Sequence, residues 1–209
     1  MIATLRRRYP APKTALLHEN PFQLLVSTIL SAQCTDARVN MVTPGLFKKY
    51  ATPAHFASLD QKELEVEIRS TGFFRNKARN IIVASKSIME QFGGEVPRTM
   101  EELLRLGGVG RKTANCVLGG AFGINEGVVV DTHVERLSQR LGLSEEKTAE
   151  KIEKDLMEVV PKADWYDFSN LLILHGRETC DARKPNCPEC NLRRICPSAE
   201  GFLRKFYKS

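Results

Sequence analysis

The hydrophobic residues of this chain recur at helical spacing along almost its whole length. Asn20 and Pro21 have the residue types that open a helix, and the apolar residues after them predict a helix buried on all sides. A second long helix is predicted over about residues 75–92, because its apolar positions follow the helical period and Gly93-Gly94 can end it. Further helix starts are predicted at Thr35 or Asp36, Thr52-Pro53, Asp60 with Glu63, Asp131, Ser144 and Asp164, and helix ends or kinks at Pro44, Gly142 and Pro161. Val128-Val129-Val130 is too short and isolated to require a sheet, so nearly every segment is predicted to be helical.

Two helices joined by a tight turn are predicted near the centre of the chain. Thr99 followed by Glu102 matches a capping box, in which the two residues satisfy the first amides of a helix. The apolar side of this first helix is predicted to consist of Leu103, Leu104 and Leu106.

The turn itself contains three glycines. Gly107 is expected to end the first helix with a positive φ, while Gly108 and Gly110 let the backbone pass close to another molecule. The second helix is expected to begin near Arg111. Its unpaired N–H groups and the positive end of its dipole would attract an anion such as a phosphate.

Lys112 is predicted to lie in the first turn of that second helix. The helix dipole disfavours a cation there, and burial would lower its pKa further, so the amine could act as a nucleophile and form a Schiff base. The alternative is a surface lysine beside a phosphate. A P-loop is a weaker alternative, because a helix rather than a strand precedes the turn and Arg111 separates Gly110 from Lys112.

Composition and charge favour a globular protein with an anionic partner. The chain has 209 residues, 42% of them hydrophobic, and a formal net charge of +6. Residues 177–209 hold eight Lys or Arg against four Asp or Glu, whereas residues 142–168 hold four against eight. Either a basic patch facing a phosphate backbone or merely solvated basic ends would explain this distribution. No apolar run approaches membrane-spanning length and residues 1–13 do not resemble a secretory signal, so a cytoplasmic protein is expected.

Four cysteines near the C-terminus have the spacing of a metal site. Cys180, Cys187, Cys190 and Cys196 follow the pattern C-x6-C-x2-C-x5-C within one proline-containing loop. Without a secretory signal disulfides are not expected, so the thiols are predicted to converge on one metal centre. Both structural zinc and a cubane iron–sulfur cluster satisfy four cysteines, and the single C-x2-C pair favours iron–sulfur slightly.

Basic residues accompany the four cysteines. Arg193 and Arg194 lie inside the loop, and a rigid metal-bound loop would hold them ready for phosphate binding. The remaining two cysteines, Cys34 and Cys116, fall within helical patterns and are predicted to be small buried residues.

Together these motifs resemble the endonuclease III family of DNA repair glycosylases, in the helix-hairpin-helix superfamily. Four separated segments carry the resemblance: Leu30-Ser31-Ala32-Gln33 with Thr35-Asp36, Gly110-Arg111-Lys112-Thr113-Ala114-Asn115, Val130-Asp131-Thr132-His133, and Leu174-His175-Gly176-Arg177 followed by the four cysteines. Their order and spacing agree along almost the whole chain.

The resemblance implies an all-α fold of two domains. A six-helix barrel domain containing the hairpin would span residues 14–124, and an iron–sulfur domain would combine residues 1–13 and 125–209, with a DNA cleft between the two. The implied activity is bifunctional: removal of an oxidised pyrimidine, then cleavage of the strand 3′ to the abasic site by β-elimination. The implied partner is double-stranded DNA containing oxidised pyrimidines or abasic sites, and we expect no membrane partner, a monomer, and a bacterial-type protein associated with the nucleoid.

The resemblance also implies roles for individual residues. Lys112 matches the Schiff-base lysine and Asp131 the catalytic aspartate, while Cys180, Cys187, Cys190 and Cys196 match the ligands of a [4Fe–4S] cluster. Gln33 matches the glutamine that fills the gap left by an extruded nucleotide, and Phe73 falls where a leucine-like wedge enters the base stack. Flipping a nucleotide costs a few kcal/mol, which such side chains partly offset.

Each of these roles has a structural alternative, and three positions depart from the family pattern. Asp131 is also a good helix N-cap, Phe73 could be a core residue, and Gln33 a polar residue at a helix end. Gly107 stands where a proline is common, Phe73 replaces a leucine, and Cys34 replaces an alanine beside Gln33. These departures affect the expected substrate preference more than the reaction class.

Two other functions fit part of the pattern. A monofunctional adenine-specific mismatch glycosylase shares the cluster and the aspartate, but Lys112 and the short segment after Cys196 disfavour it. A non-catalytic iron–sulfur DNA-binding protein would explain the basic ends and the hairpin, but it would not require Lys112 together with Asp131.

Overall fold

The protein is all-α, as the sequence predicts. The computed structural model describes residues 1–207, and Lys208 and Ser209, the end of the predicted iron–sulfur domain, lie outside them. The described residues form α-helices and short 3-10 helices and contain no strand. The chain divides into two compact units, one of Thr14–Ile124 and one of Met1–Lys13 with Asn125–Ser209. No helix among the described residues has the length and apolar character needed to span a membrane.

The unit of residues 14–124 is built around one helix that is buried along almost its whole length. Its helices are α2 (Pro21–Ser31), α3 (Asp36–Lys49), α4 (Pro53–Ser58), α5 (Gln61–Glu67), α6 (Phe74–Gln91), α7 (Met100–Leu104) and α8 (Arg111–Phe122), with a 3-10 helix at Arg69–Thr71. Asn20 caps α2 by accepting a hydrogen bond from the Gln23 amide, and Pro21 occupies its first position, as predicted. Nine consecutive residues of α2 are buried, and α3, α6 and α8 pack around it. Because α8 packs directly on α2, the position of the hairpin is fixed by the core.

The other unit assembles helices from both ends of the chain. It contains α1 (Ile2–Arg8), α9 (Thr132–Arg140), α10 (Ala149–Val159), α11 (Trp165–Glu178) and α12 (Ala199–Phe206), with 3-10 helices at Lys162–Asp164 and Arg193–Ile195. α11 lies at its centre and packs against α1 and α9. Arg6 of α1 donates 2.8 Å hydrogen bonds to Asp164 and Asp167, which ties the N-terminal helix to the start of α11. Residues 1–13 therefore complete a core formed mainly by the C-terminal part of the chain.

Two helices differ from their predicted bounds. α3 does not end at Pro44, which was predicted as an end or a kink, but continues through it, because Val39 and Leu46 on either side of the proline are both buried in the same core. α10 starts five residues after Ser144, whose hydroxyl instead donates to the Asp155 carboxylate and accepts from the Glu146 amide.

Several predicted burial assignments are also wrong. Leu104 is 46% exposed, although the helical period placed it on the buried side of α7. Cys34 and Cys116 are half-buried rather than fully buried. Leu104 and Cys116 lie in helices, where helical spacing alone does not determine which side chains the neighbouring helices cover. Cys34 lies outside the helical pattern predicted for it, in the turn between α2 and α3.

Candidate functional site

The hairpin of α7, a turn and α8 forms as the sequence predicts. The Thr99 hydroxyl accepts from the Glu102 amide and donates to the Glu102 carboxylate, so Thr99 caps α7 and pairs with Glu102, the two residues that the sequence predicts to open this helix. Gly110 is the N-cap of α8 in an extended conformation, and no side chain caps this helix. The first-turn amides of α8 therefore have no side-chain cap competing for them, which suits an anion such as a phosphate.

The residue with positive φ in the turn is Gly108, not Gly107 as predicted. Gly108 has a φ of +74°, in the region that favours glycine, and a Cβ there would lie 2.4 Å from the Asn80 amide carbon on α6. Gly107 lacks a positive φ, but a Cβ at that position would lie 2.3 Å from a methyl group of Val83. Gly107 therefore allows the turn to pack closely against Val83.

Lys112 lies in the first turn of α8, as predicted, but the predicted burial is wrong. Its side chain is exposed, like that of the neighbouring Arg111. Ala114, two residues later, is fully buried and anchors the helix in the core. Lys112 is therefore presented to solvent from a well-packed helix, where another molecule can reach it.

A pocket in the same unit brings three predicted DNA-binding residues together. Gln33, Phe73 and Gly108 line one pocket of about 180 Å³, although they are far apart in the sequence. The pocket lining also includes three α6 residues that the sequence analysis did not identify, Asn76, Lys77 and Asn80, together with Thr28, Ile29, Ala32 and Thr113. The predicted gap-filling side chain and the predicted wedge therefore lie at one site beside the hairpin turn.

Gln33 and Phe73 share an uncommon backbone conformation. They are the two non-glycine residues with positive φ in the described part of the chain, at +51° and +47°. This conformation costs an L-residue about 1–2 kcal/mol, so it persists where the surroundings enforce it. Phe73 is 64% exposed, which excludes the alternative of a core residue. Strained backbone holding an exposed aromatic side chain is typical of a functional position.

Asp131 caps α9, which is the structural role predicted as the alternative to catalysis. Its Oδ1 atom accepts hydrogen bonds from the backbone amides of His133 and Val134, both at 2.8 Å. Because Oδ1 accepts both bonds, capping uses only one of the two carboxylate oxygens. The preceding residues 128–130 are buried and belong to no helix, and their burial fixes the entry into α9. Capping and chemistry are therefore compatible at Asp131.

The four predicted cysteine ligands line one cavity. Cys180, Cys187, Cys190 and Cys196 all contribute to its wall, together with residues of α9 and α11. Burial raises the pKa of the Cys187, Cys190 and Cys196 thiols, and the neighbouring cysteine sulfurs raise it further. No three or more His, Cys, Asp or Glu side chains of the described residues are spaced as ligands of a single metal ion.

Two arginines of α9 hold the start of the four-cysteine loop. Arg140 donates to the Cys180 sulfur at 3.2 Å and to the carbonyl oxygens of Asp181 and Ala182 at 2.8 Å. Arg136 donates to the carbonyl oxygens of Cys180 and of Gly176 on α11. These contacts connect the cysteine loop to the helix that Asp131 begins. Neither arginine is predictable from local sequence, because their partners lie about 40 residues away in the chain.

His175 and Gly176 of the Leu-His-Gly-Arg motif also have structural roles. The His175 ring lies with Nε2 3.4 Å from the Cys190 sulfur, and burial lowers its pKa to about 4, so the ring is neutral at neutral pH. A Cβ on Gly176 would lie 2.9 Å from the His133 ring, so glycine there permits the close packing of α11 on α9. Arg193 and Arg194 are exposed in a 3-10 helix next to Cys196.

The chain belongs to the HhH-GPD superfamily of base excision DNA repair proteins, whose family model matches residues 26–162. Within it, the chain is similar to curated endonuclease III proteins. It is 56% identical to that of Synechocystis sp. over 96% of this chain and 91% of the relative, and 50% identical to that of Bacillus subtilis over 90% and 86%. It is 41% identical to that of Escherichia coli strain K12 over 96% of this chain and 94% of the relative. The resemblance to the endonuclease III family is therefore confirmed.

Solved structures extend the similarity to the whole fold. A non-covalent endonuclease III–DNA complex and a trapped endonuclease III–DNA covalent intermediate each match with a TM-score of 0.91 and 44% identity, covering 97% of this chain and 95% of the solved chain. A thermostable thymine-DNA glycosylase matches with a TM-score of 0.84 and 25% identity, over 96% and 95%. With the relatives at 41–56% identity, these matches identify the chain as a bifunctional DNA glycosylase and AP lyase.

Proposed function

We propose that this protein removes oxidised pyrimidines from double-stranded DNA through a Schiff base on Lys112, and then cuts the strand 3′ to the abasic site. The observation that carries the proposal is the match over 97% of the chain to an endonuclease III trapped covalently on DNA. A covalent intermediate requires a nucleophile. Lys112 supplies an exposed amine on the hairpin helix of a chain with that fold.

The proposed chemistry begins at the sugar of an extruded nucleotide. The neutral amine of Lys112 attacks C1′, the bond to the base breaks, and the base leaves with a proton. The sugar ring opens to give an iminium ion, which acidifies the C2′ hydrogen. Removal of that proton expels the 3′ phosphate oxygen and leaves an unsaturated sugar that water releases from the lysine. Asp131 is the proposed group that stabilises developing positive charge or transfers a proton during these steps.

Extrusion of the nucleotide needs side chains that replace it in the duplex. Phe73 can enter the stack as an apolar wedge, and Gln33 can hydrogen-bond to the base left without a partner. Their common position at one pocket supports this division of labour. The proposed backbone contacts are Gly108, Gly110 and Arg111 at the hairpin, where amides and a cation face a phosphate, and Arg193 and Arg194 beside the cysteines. The proposed acting form is a monomer.

The four cysteines that line one cavity fit a [4Fe–4S] cluster, in which each thiolate binds a different iron. The single C-x2-C pair in their spacing favours this cluster over structural zinc, whose four-cysteine sites usually show two such pairs. A bound cluster would supply positive charge that stabilises the buried thiolates and would cross-link the loop. Arg140 and the neutral His175 would then donate hydrogen bonds to the sulfurs of Cys180 and Cys190.

Borohydride trapping on a panel of oligonucleotides tests the proposed substrate. Sodium borohydride reduces the imine between the lysine and the sugar, so a covalent complex should form on duplexes containing thymine glycol or an abasic site. Undamaged duplex and duplex containing an oxidised purine are the controls, and both are expected to give little complex. Equal trapping on the oxidised purine, with none on thymine glycol, would contradict the assignment to oxidised pyrimidines.

Iron analysis of cysteine variants tests the proposed cofactor. The protein as purified is expected to contain about four iron and four sulfide ions per chain. Cys187→Ser should lose most of that iron, because the serine hydroxyl is a poor replacement for a buried thiolate ligand. Cys34→Ser is the matched control, since Cys34 lies in the other unit, and its iron content should equal that of the parent protein. A parent protein that contains zinc and no iron would contradict the proposed [4Fe–4S] cluster.

A further inference from the structure

A lysine in the core of residues 14–124 has no role in the chemistry described above. Lys77 on α6 is only 4% exposed, and its Nζ donates 2.8 Å hydrogen bonds to the carbonyl oxygens of Leu30 and Thr71. Burial lowers its pKa, and none of its hydrogen-bond partners is a carboxylate. A buried lysine without an ion-pair partner is costly, so a chain that keeps one gains something specific from it.

The two carbonyl groups that Lys77 binds lead to the two residues with strained backbones. Leu30 is in the last turn of α2, three residues before Gln33. Thr71 ends the 3-10 helix two residues before Phe73. One ammonium group therefore joins the chain segments from which the proposed gap-filling residue and the proposed wedge project.

The surroundings explain why a lysine suits this place. Carbonyl groups in the last turn of a helix have no partner within the helix, and the negative end of the helix dipole favours a cation. Lys77 satisfies one such carbonyl of α2 and, with a second N–H, the carbonyl of Thr71. It also lines the pocket together with Gln33 and Phe73. An apolar side chain could fill the space, but it could not hold the two segments at a fixed separation.

We propose that Lys77 is a positioning residue for nucleotide extrusion: it holds Gln33 and Phe73 in the geometry with which they enter the duplex. This inference rests on the proposed function, because it assumes that these two side chains replace an extruded nucleotide. Lys77 touches no reacting atom in the proposed mechanism. Its removal should impair steps that require extrusion and spare those that do not.

The test compares two substrates in the full-length holoprotein. Lys77→Met keeps the length and apolar stem of the side chain but removes its donors. Base release from a thymine glycol duplex, which requires extrusion, should fall at least tenfold in kcat/KM. Strand cleavage at an abasic site in a single-stranded oligonucleotide, where no nucleotide has to leave a stack, should change less than about twofold. The fluorescence rise of 2-aminopurine placed next to the lesion, which reports unstacking, should also be reduced.

Control variants separate positioning from simple destabilisation. Lys86→Met removes the same charge from an exposed position of the same helix, and it should match the parent protein on both substrates. Lys77→Gln retains an N–H donor with a shorter reach. If Lys77→Met does not fold, Lys77→Gln is assayed instead, and it should show the same selective loss at a smaller size.

The remaining outcomes overturn the proposal or the function beneath it. Equal losses on both substrates would show that Lys77 contributes only to stability. Unchanged activity on the duplex would show that Lys77 takes no part in extrusion. If the parent protein itself neither cleaves nor traps either substrate, the proposed function fails. In that case the 2-aminopurine signal of the Lys77 variants still reports whether Lys77 positions the inserted side chains.

Discussion

The Lys112→Ala variant is expected to lose the borohydride-trapped complex and strand cleavage, both by at least about 10³-fold. Loss of the nucleophile removes the covalent path, and measured losses for enzyme nucleophiles reach this size. The variant should fold normally, because the Lys112 side chain is exposed and the buried part of α8 is unchanged. Binding to an abasic-site duplex should weaken far less than catalysis, since the hairpin amides remain in place. The measurement is single-turnover cleavage and trapping on the same thymine glycol duplex.

A matched lysine controls for the loss of charge. Lys62 is an exposed lysine on α5 in the same unit, and Lys62→Ala should trap and cleave like the parent protein. Trapping that persists in Lys112→Ala would mean that another amine forms the imine. A similar loss in Lys62→Ala would point to general electrostatics rather than to a nucleophile.

The helix starts were predictable because their signals are local. Asn20, Thr35, Thr52 and Thr99 each accept an amide hydrogen bond from a residue two or three positions further along the chain. A capping side chain and its partner lie within one helical turn, so residue type and spacing identify them. The α9 cap at Asp131 follows the same logic, whereas the α8 start near Arg111 was marked by the glycines of the turn rather than by a capping side chain.

The features that could not be predicted from the sequence depend on contacts between residues that are far apart in the chain. The Lys77 hydrogen bond to Leu30 spans 47 residues, and the contact of Arg140 with the cysteine loop spans about 40. The available sequence signal for the burial of Lys77 was its helical spacing from Ile81, which lies four residues later and is buried. The positive φ was predicted at Gly107 but lies at Gly108. Both glycines pack closely against α6, and rules for turns based on residue type do not include such contacts.

The site residues themselves were predictable mainly through the resemblance to a family. From the residues alone, the cap was the favoured role for Asp131 and a core position the favoured one for Phe73. The structure excludes the core alternative for Phe73 and adds the shared pocket with Gln33. The expected burial of Lys112 is wrong, because the first turn of α8 faces solvent while its later turns enter the core.

The Asp131→Asn variant is expected to keep its fold and lose at least about 10²-fold in base release. Asparagine is as good an N-cap as aspartate, and its single carbonyl oxygen can accept the His133 and Val134 amides that Oδ1 accepts now. The free energy of unfolding should therefore change by less than about 0.5 kcal/mol. The amide lacks the negative charge and the proton-accepting oxygen, and losing a positioned acid–base group costs about 10²–10⁴-fold. Single-turnover release of thymine glycol and thermal unfolding measure the two effects.

Asp131→Ala provides the comparison that separates the two roles. It removes the cap as well as the charge, so it should lose about 1 kcal/mol of stability relative to Asp131→Asn. If Asp131 acts only as a cap, activity should follow stability: Asp131→Asn would stay active and Asp131→Ala would be impaired. If the carboxylate takes part in chemistry, both variants lose activity to a similar degree although only one is destabilised. Because both capping bonds go to Oδ1, the second oxygen can serve the reaction without weakening the helix that carries it.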